Sequence, residues 1–291
     1  ASCKADGTET AKCDHSCGKT DTRTDKDSKL DHKYEDGKCI RCEAVEPTSS
    51  EHFEFKLSDD GTYYILKKAK STIPADVIIP DMFGGLPVKE IGLNAFSYNS
   101  TIISVTIPNT ITQLAAGSFM DCKKLSKVVL PDGITSISES GGAFKNCTSL
   151  VDISIPDSVT VIGLSTFYGC TKLNYTVHNG LMYLGNSNNP YHALMDTVDP
   201  NMSTYEISTE TVLIAGGAFS ECSNLSKIKI PDNIKSICPG AFGCCSKLTS
   251  LDIPSSVTYI GYLAFDECTS LAKITIPDSV ATVGNYAFNG T

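Results

Sequence analysis

The sequence predicts a solenoid of short parallel strands, a right-handed superhelix that is mostly β-structure with short helical turns. The first observation is a repeat of eight phenylalanines, separated by 23, 25, 23, 52, 23, 23 and 23 residues. They are Phe96, Phe119, Phe144, Phe167, Phe219, Phe242, Phe265 and Phe288. The second observation is that no unit of this size can bury its own Leu, Ile and Phe side chains. Stacked units form a continuous core, so at least three repeats are needed for stability.

Each unit contains three recurring segments. The first, L-x-x-I-x-I, alternates in its second half and ends at a proline, as at Pro231 or Pro254, which indicates a short strand. The second, V-x-x-I-G, indicates another short extended piece. The third, A-F-x-x-C, indicates a tight turn or a single helical turn.

Together these segments resemble the BspA-like bacterial leucine-rich repeats, over residues 80–291. The resemblance implies a leucine-rich-repeat solenoid with repeats of about 23 residues. It also implies a secreted or cell-surface bacterial protein with an adhesion role. The expected partner is a host or matrix surface protein, or another surface protein. The resemblance does not imply a particular ligand.

Composition excludes several other classes of function. The chain has 291 residues and a net charge of −9, and its basic residues are spread along the units, which argues against nucleic acid and anionic membrane surfaces as partners. No apolar run approaches the roughly 18 residues of a membrane span. The chain opens on Ala1, so we expect a mature or trimmed fragment of an exported protein, and we expect it to be monomeric. At the other end Thr291 takes the cysteine position of the repeat, so either the protein continues or the last half-turn acts as a cap.

Residues 1–47 form a separate polar module with five of the thirteen cysteines. Such a segment needs covalent or metal links to fold. The spacing of Cys13, Cys17, Cys39 and Cys42 is similar to that of a zinc ribbon, and four thiolates would make a closed, structural zinc site. Disulfides, which suit an exported module, and free thiols remain alternatives. No other cofactor is expected.

Residues 48–79 are predicted to be a linker and a capping hairpin. The stretch from Phe53 to Ala69 alternates apolar and polar residues on both sides of Asp59-Asp60-Gly61. Because the first repeat has no neighbour before it, this hairpin is expected to cover the open end of the stack.

An insertion occupies residues 174–206, approximately, within the solenoid of residues 80–291. Two apolar runs, Gly180 to Leu184 and Tyr191 to Val198, predict a second β-hairpin that leaves the solenoid and returns to it. Insertions in repeat proteins often serve binding, so Tyr183 and Tyr191 are candidate ligand contacts. The alternative is that both tyrosines pack the hairpin onto the stack. For His178 and His192 a packed or solvated side chain is favoured over a metal ligand or base, because no partner lies at ligand spacing.

The outward positions of the first strand form the other candidate binding surface, because solenoid curvature makes such faces useful for binding. The candidate ligand-binding residues there are Lys127, Asp152, Lys227, Lys229, Asp252 and Lys273. The alternative is a solvated polar face.

Six cysteines lie three residues after a repeat phenylalanine and are predicted to be buried thiols. Cys238 and Cys244 are additional. No nucleophile, phosphate-binding or metalloprotease motif is present, so we predict a non-catalytic binding or adhesion module. A structural spacer, and a hydrolase with a site between hairpin and solenoid, are the alternatives.

Overall fold

The structure is a computed structural model and describes residues 45–291, together with the backbone of four two-residue strands before them. These strands are β1 (Gly7–Thr8), β2 (Thr24–Asp25), β3 (Tyr34–Glu35) and β4 (Lys38–Cys39). β1 pairs antiparallel with β2, and β3 with β4. The chain divides into two compact units, Ala1–Thr48 and Ser49–Thr291. The side chains of Cys13, Cys17, Cys39 and Cys42, the predicted zinc ligands, lie outside the described residues.

The second unit begins with a 3-10 helix, Ser50–His52, and continues as a succession of short strands. Up to the insertion these are β5 (Phe53–Leu57), β6 (Tyr64–Ala69), β7 (Asp76–Ile78), β8 (Met82–Phe83), β9 (Leu86–Ile91), β10 (Ser104–Thr106), β11 (Gln113–Leu114), β12 (Lys127–Val129), β13 (Ser136–Ile137), β14 (Asp152–Ile153) and β15 (Val161–Ile162).

These strands make two sheets, as the two extended segments of each repeat predict. The first sheet has the order β14-β12-β10-β7, and all of its pairings are parallel. Val105 pairs with Val77 on one side and with Val128 on the other, so equivalent residues of neighbouring turns lie side by side. The second sheet has the order β15-β13-β11-β9-β6-β5 and contains the V-x-x-I-G segments.

The hairpin expected around Asp59-Asp60-Gly61 lies at the start of the second sheet. β5 and β6 pair antiparallel, and β6 pairs parallel with β9. Leu66 of β6 is fully buried, and the ring of Phe53 meets the edge of Phe96 with 6.3 Å between centroids. The hairpin therefore covers the apolar side chains of the first repeat.

After β15 the second half of the solenoid repeats the same plan. Its strands are β16 (Thr176–His178), β17 (Leu181–Leu184), β18 (Ala193–Thr197), β19 (Leu213–Ile214), β20 (Ser236–Ile237), β21 (Ser250–Asp252), β22 (Tyr259–Ile260), β23 (Lys273–Thr275) and β24 (Thr282–Val283). β16-β17-β18-β19-β20-β22-β24 form one sheet. The first-sheet segments continue as a bridge between Glu206 and Lys229 and as the parallel pair β21 and β23.

The insertion contains the predicted hairpin, β17 paired antiparallel with β18, but the hairpin does not leave the solenoid. β18 pairs parallel with β19, so the insertion supplies the first three strands of the second-half sheet. The physical reason is burial, because Leu181, Tyr183 and Leu194 are completely enclosed and would be exposed on a projecting hairpin.

The repeat phenylalanines stack as predicted, in two ladders separated by the insertion. In the first ladder the ring centroids of Phe96, Phe119, Phe144 and Phe167 lie 4.7, 5.4 and 5.5 Å apart. In the second ladder the rings of Phe219, Phe242, Phe265 and Phe288 lie 5.0, 5.3 and 5.3 Å apart. Tyr205 of the insertion packs on Phe219 at 5.4 Å and so closes the second ladder.

The turn around each phenylalanine depends on backbone conformations that the repeat pattern did not reveal. The residue two positions after the phenylalanine is left-handed, for example Asp121 with φ 58° and Glu221 with φ 65°. Its N–H donates to the next turn, as Asp121 does to the carbonyl of Lys145 at 2.8 Å. Left-handed non-glycine residues are costly, and these inter-turn hydrogen bonds offset the strain.

The two halves also meet at a corner formed by residues distant in sequence. The N–H of Gly216 donates to the carbonyl of Ile162 at 2.8 Å, and the hydroxyl of Tyr259 donates to Oε1 of Glu139 at 2.5 Å. Gly240 packs closely against the side chain of Leu164, and a Cβ at this position would come within 2.9 Å of it. These contacts fix the second half against the turn that precedes the insertion.

Candidate ligand-binding face

The outer face of the first sheet is polar and exposed, as the repeat pattern predicts. Lys127 and Asp152 lie on it with exposed side chains, and the equivalent outward positions of the second half carry the exposed Lys227, Lys229, Asp252 and Lys273. Parallel register places Lys127 beside Asp152 on neighbouring strands. The outward positions of the L-x-x-I-x-I segments therefore carry charged side chains on both sides of the insertion.

One cavity on this face lies where the sheet meets the loop of the insertion. It has a volume of ≈ 720 Å³, and the exposed side chain of Val129 and the half-buried Pro156 belong to its lining. Its charged and amide lining residues are Lys127, Asp132, Asp152, Asp157, Asn186 and Asn188. We call this cavity the loop cleft. It is lined by both of the surfaces that the sequence predicted as separate binding candidates, the sheet face and the insertion.

The wall of the loop cleft is held in place by Asn186. Its Nδ2 donates to the carbonyl of Ile155 at 3.0 Å and to Oδ1 of Asp157 at 2.6 Å. Its Oδ1 accepts from the backbone N–H of Asn188 and of Asn189, at 2.9 and 3.0 Å. The loop is therefore pinned to the solenoid by side-chain bonds as well as by its own backbone.

Behind this loop, His192 is a structural residue. It is 1% exposed, and its Nε2 lies 2.7 Å from the carbonyl of Val159, to which it donates. Its Nδ1 is 4.0 Å from Oδ1 of Asp157. His178 lies at the surface with its ring 5.4 Å from that of Tyr191. The two histidines therefore occupy different environments and do not form one site.

The charged side chains of the loop cleft differ in how they are held. Oδ1 of Asp152 accepts from Nδ2 of Asn174 at 2.9 Å, and Asp157 is bonded to Asn186. The side chains of Lys127 and Asp132 make no hydrogen bond or ion pair with any residue in the described part of the chain. The cleft thus combines two anchored carboxylates with one carboxylate and one ammonium group that are available to a partner.

Two smaller cavities, of ≈ 350 and ≈ 370 Å³, lie on the first-sheet face of the second half. Both are lined by Lys229 and Asp232; the larger also includes Lys227 and Asp252, and the smaller includes Glu206. The larger cavity has two ammonium groups and two carboxylates, and the smaller has one ammonium group and two carboxylates, whereas the loop cleft has one ammonium group and three carboxylates. Lys273 lines none of these three cavities.

The two tyrosines predicted as candidate ligand contacts pack against other parts of the protein. Tyr183 is 0% exposed, and its hydroxyl accepts from the backbone N–H of Ser208 at 3.2 Å. Tyr191 is half-buried and packs edge-on against Tyr183 with 5.4 Å between ring centroids. The packing alternative therefore describes Tyr183, which has no surface to offer a ligand in this structure.

Sequence reasoning missed Asp132, Asp157, Asn186 and Asn188. A signal for the first two was present, since Asp132 and Asp157 each follow the proline that ends a repeat strand. In a stack of turns, such a pair falls in one column. Asn186 and Asn188 belong to a stretch with three asparagines, which indicated a loop but not its position beside the sheet.

The repeat cysteines are part of the framework. The Sγ of Cys122, Cys147, Cys170, Cys245 and Cys268 each lies 3.0–3.2 Å from the carbonyl oxygen of the phenylalanine one turn earlier. Cys222, which follows the insertion, instead lies 3.9 Å from the hydroxyl of Thr197. Burial raises the pKa of Cys122 to about 12. The repeat cysteines are free thiols that bond to the framework of the solenoid, and the prediction that they are buried is confirmed.

The two additional cysteines differ from each other. Cys238 is buried, and burial raises its pKa to about 12. Cys244 is exposed, and its pKa is raised by partial burial and by the carboxylates of Asp266, Glu221 and Glu267. A raised pKa disfavours the nucleophilic thiolate. Neither thiol has the electropositive surroundings of a catalytic cysteine.

The described residues contain neither a metal-binding cluster nor a membrane-spanning helix. Within residues 45–291 and the short strands before them, no three His, Cys, Asp or Glu side chains are grouped so that they can hold a metal ion. In the same part of the chain, no helix has the length and apolar character needed to cross a bilayer.

Comparison with known proteins assigns the fold to a family. The sequence profile of the BspA-type leucine-rich repeat region matches in six copies over residues 88–188 and 197–291, which is more than half of the chain. The chain therefore belongs to the BspA-type leucine-rich-repeat family. No curated protein matches it.

Solved structures with similar folds are leucine-rich-repeat proteins from several bacteria. The leucine-rich repeat protein of T. pallidum is 24% identical, with a TM-score of 0.47 over 83% of this chain and 99% of its own. A leucine-rich repeat protein from Bacteroides ovatus is 22% identical, with a TM-score of 0.42 over 82% of this chain and 55% of its own. A leucine-rich cell surface protein from Faecalibacterium prausnitzii is 21% identical, with a TM-score of 0.35 over 85% and 93%.

Proposed function

We propose that this chain is a non-catalytic protein-binding or adhesion module on the outside of a bacterial cell. Membership of the BspA-type family supports the surface location and the adhesion role. The partner we propose is a host or matrix surface protein, or another surface protein. The loop cleft is the observation that carries the proposal, because it brings a rigid loop and exposed charged strands to one open cavity of ≈ 720 Å³.

The arrangement of the loop cleft favours binding over a purely mechanical role. A binding surface gains affinity when its groups are held in place before the partner arrives, because less conformational entropy is lost. Asn186 supplies this rigidity through its bonds to Ile155, Asp157 and the loop backbone. The side chains that could act as nucleophile or base, the repeat thiols and His192, are instead bonded to main-chain carbonyls. This supports a module without catalysis.

A steric block tests the proposal without assuming the charge of the partner. Ser154 lines the loop cleft and is exposed, so Ser154→Trp should fill part of the cavity. Thr275 is exposed at the equivalent outward position of β23, outside the three cavities described above, so Thr275→Trp is a matched control. Both proteins and the wild type are immobilised and exposed to purified host matrix proteins and purified bacterial surface proteins.

We expect at least one protein to bind the wild type and Thr275→Trp, and to bind Ser154→Trp at least about tenfold more weakly, a difference of about 1.4 kcal/mol. If no protein binds the wild type, the chain is better described as a spacer that presents other domains. If a partner binds all three proteins equally, the loop cleft is not the binding site.

A further inference from the structure

We propose that the loop cleft takes an extended polypeptide segment whose side chains include lysine or arginine. This inference rests on the proposed function and specifies the chemistry of the partner. It begins from charge. Three carboxylates, Asp132, Asp152 and Asp157, line the cleft against one ammonium group, that of Lys127.

The carboxylates are arranged along the solenoid. Asp132 and Asp157 follow the equivalent prolines of adjacent turns, and adjacent strands of a sheet are about 4.8 Å apart. Asp152 lies on β14, beside Lys127 of β12. Neighbouring like charges repel each other, and a cationic side chain between them relieves that repulsion. The unpaired state of Asp132 leaves it free to make such a contact.

The floor of the loop cleft suits the stem of a long cationic side chain. Val129 projects from the sheet with 43% of its surface exposed, and the half-buried Pro156 also lines the cavity, whereas the side chains of Val128 and Leu130 point into the core. Lysine and arginine bury their methylene stems on apolar surface while the charged end reaches polar groups. An acidic rim around an aliphatic floor matches this division within one side chain.

The size and position of the loop cleft favour a polypeptide over a small cation. A volume of ≈ 720 Å³ is in the range of sites that hold ligands of several hundred daltons, which corresponds to several residues. The cavity spans two strands and the loop, so a segment lying across it meets several turns of the solenoid. Of the second-half cavities, the larger has no excess of negative charge and the smaller has an excess of one carboxylate, against two in the loop cleft.

The test uses the full chain and two labelled hexapeptides with capped ends, one alternating lysine with threonine and one alternating glutamate with threonine. Binding is followed by fluorescence anisotropy at low salt and again with added sodium chloride. We expect the lysine peptide to bind, the glutamate peptide to bind at least about tenfold more weakly, and salt to weaken the lysine complex, because exposed charges are screened. Spermidine, added as a competitor, should displace the peptide only partly, since it lacks contacts along the chain.

Substitutions within the loop cleft separate its charges. Asp132→Asn and Asp152→Asn should each weaken the lysine peptide about two- to fivefold, the size of one exposed ion pair. Lys127→Ala should strengthen it by a similar factor, because a like charge is removed. Asp278→Asn is the matched control, since Asp278 is exposed, follows the equivalent Pro277 and lies outside the three cavities.

The inference is overturned if the lysine peptide does not bind, if both peptides bind equally, if Lys127→Ala weakens binding, or if Asp278→Asn has the same effect as the cleft variants. It is also overturned if spermidine displaces the peptide completely at equal concentration. Its failure is distinguishable from failure of the proposed function. Suppose that a surface protein binds the wild type but not Ser154→Trp, while the lysine peptide fails these tests. The proposed function then stands, and only the proposal of a lysine- or arginine-containing segment is wrong.

Discussion

The thiol of Cys147 donates a hydrogen bond to the carbonyl oxygen of Phe119, 3.1 Å away in the preceding turn. The same bond recurs between Cys170 and Phe144, and between Cys268 and Phe242. Each of these carbonyls also accepts the backbone N–H of the cysteine of its own turn, so the thiol of the next turn is its second donor. The A-F-x-x-C signature is thus an inter-turn link as well as a packing motif.

Removing this thiol should destabilise the solenoid. Cys147→Ala removes one of the two donors to the carbonyl of Phe119, which keeps the N–H of Cys122, and opens a small cavity, so we expect a loss of about 1–2 kcal/mol in the free energy of unfolding. Urea denaturation followed by circular dichroism measures it. Cys244→Ala is the control, because that side chain is exposed and should change stability by less than about 0.5 kcal/mol. Equal effects of the two substitutions would contradict the role assigned to the thiol.

A phenylalanine inside a ladder should contribute more to the free energy of unfolding than one at the end of a ladder. Phe242 lies between Phe219 and Phe265 and is 0% exposed, so Phe242→Ala should cost about 3–5 kcal/mol. Phe288 ends its ladder with one stacked neighbour and is half-buried, so Phe288→Ala should cost clearly less. The same denaturation measurement checks both variants. A Phe242→Ala protein as stable as the wild type would refute the stacked core.

The sequence predicted the parts of the fold that depend on periodicity. A 23-residue repeat of Phe, Leu and Ile requires equivalent side chains to stack, and this gave the ladders, the two strand segments and the buried thiols. It could not place the insertion, because an alternating run has two faces and nothing local tells which one is covered. Tyr183 is buried because Ser208 and the neighbouring strands pack against it.

The candidate site shows the same limit. Lys127 and Asp152 were predicted because outward positions of a strand follow from alternation. Asn186 belongs to the candidate site only because it bonds to Ile155 and Asp157, about thirty residues earlier in the chain. The contact between Tyr259 and Glu139 joins residues 120 positions apart, and no repeat pattern encodes it. Long-range contacts that break the repeat were therefore beyond the sequence.

Stability should fall at alkaline pH because of the buried thiols. Burial raises the pKa of Cys122 and of Cys238 to about 12, whereas a cysteine in an unfolded chain ionises near about 8.5. The folded state then holds its protons longer than the unfolded state, so the stabilising contribution is complete below about pH 8.5 and is lost as the pH rises towards about 12. Urea midpoints between pH 8 and pH 11 should decrease steadily.

A substitution at Cys238 tests the source of this effect. Cys238→Ala introduces the residue found at the equivalent Ala215 of the neighbouring turn, so it should fold. Its urea midpoint should decrease less steeply with pH than that of the wild type, because one raised thiol pKa is gone. Parallel curves for the two proteins would show that other groups cause the alkaline loss.

The corner between the two halves should contribute measurably through the hydroxyl of Tyr259. Tyr259→Phe removes its hydrogen bond to Glu139 while keeping the ring, so we expect a loss of about 0.5–1.5 kcal/mol in the free energy of unfolding. Glu139→Gln and the double variant complete a double-mutant cycle. Strictly additive effects would mean that the two side chains do not interact in solution.

The loop of the insertion should depend on the absence of a side chain at Gly185. A Cβ at this position would come within 2.0 Å of the carbonyl oxygen of Asn189, so Gly185→Ala must displace the backbone that carries Asn186. We expect a loss of about 1–3 kcal/mol in the free energy of unfolding, and at least fivefold weaker binding of the lysine–threonine peptide at the loop cleft. Gly133→Ala is the control, because its nearest neighbour, the carbonyl oxygen of Asn109, would be 3.9 Å from the added Cβ. Denaturation and anisotropy measurements on both variants decide the matter, and unchanged peptide binding by a Gly185→Ala protein would show that the position of this loop does not shape the cleft.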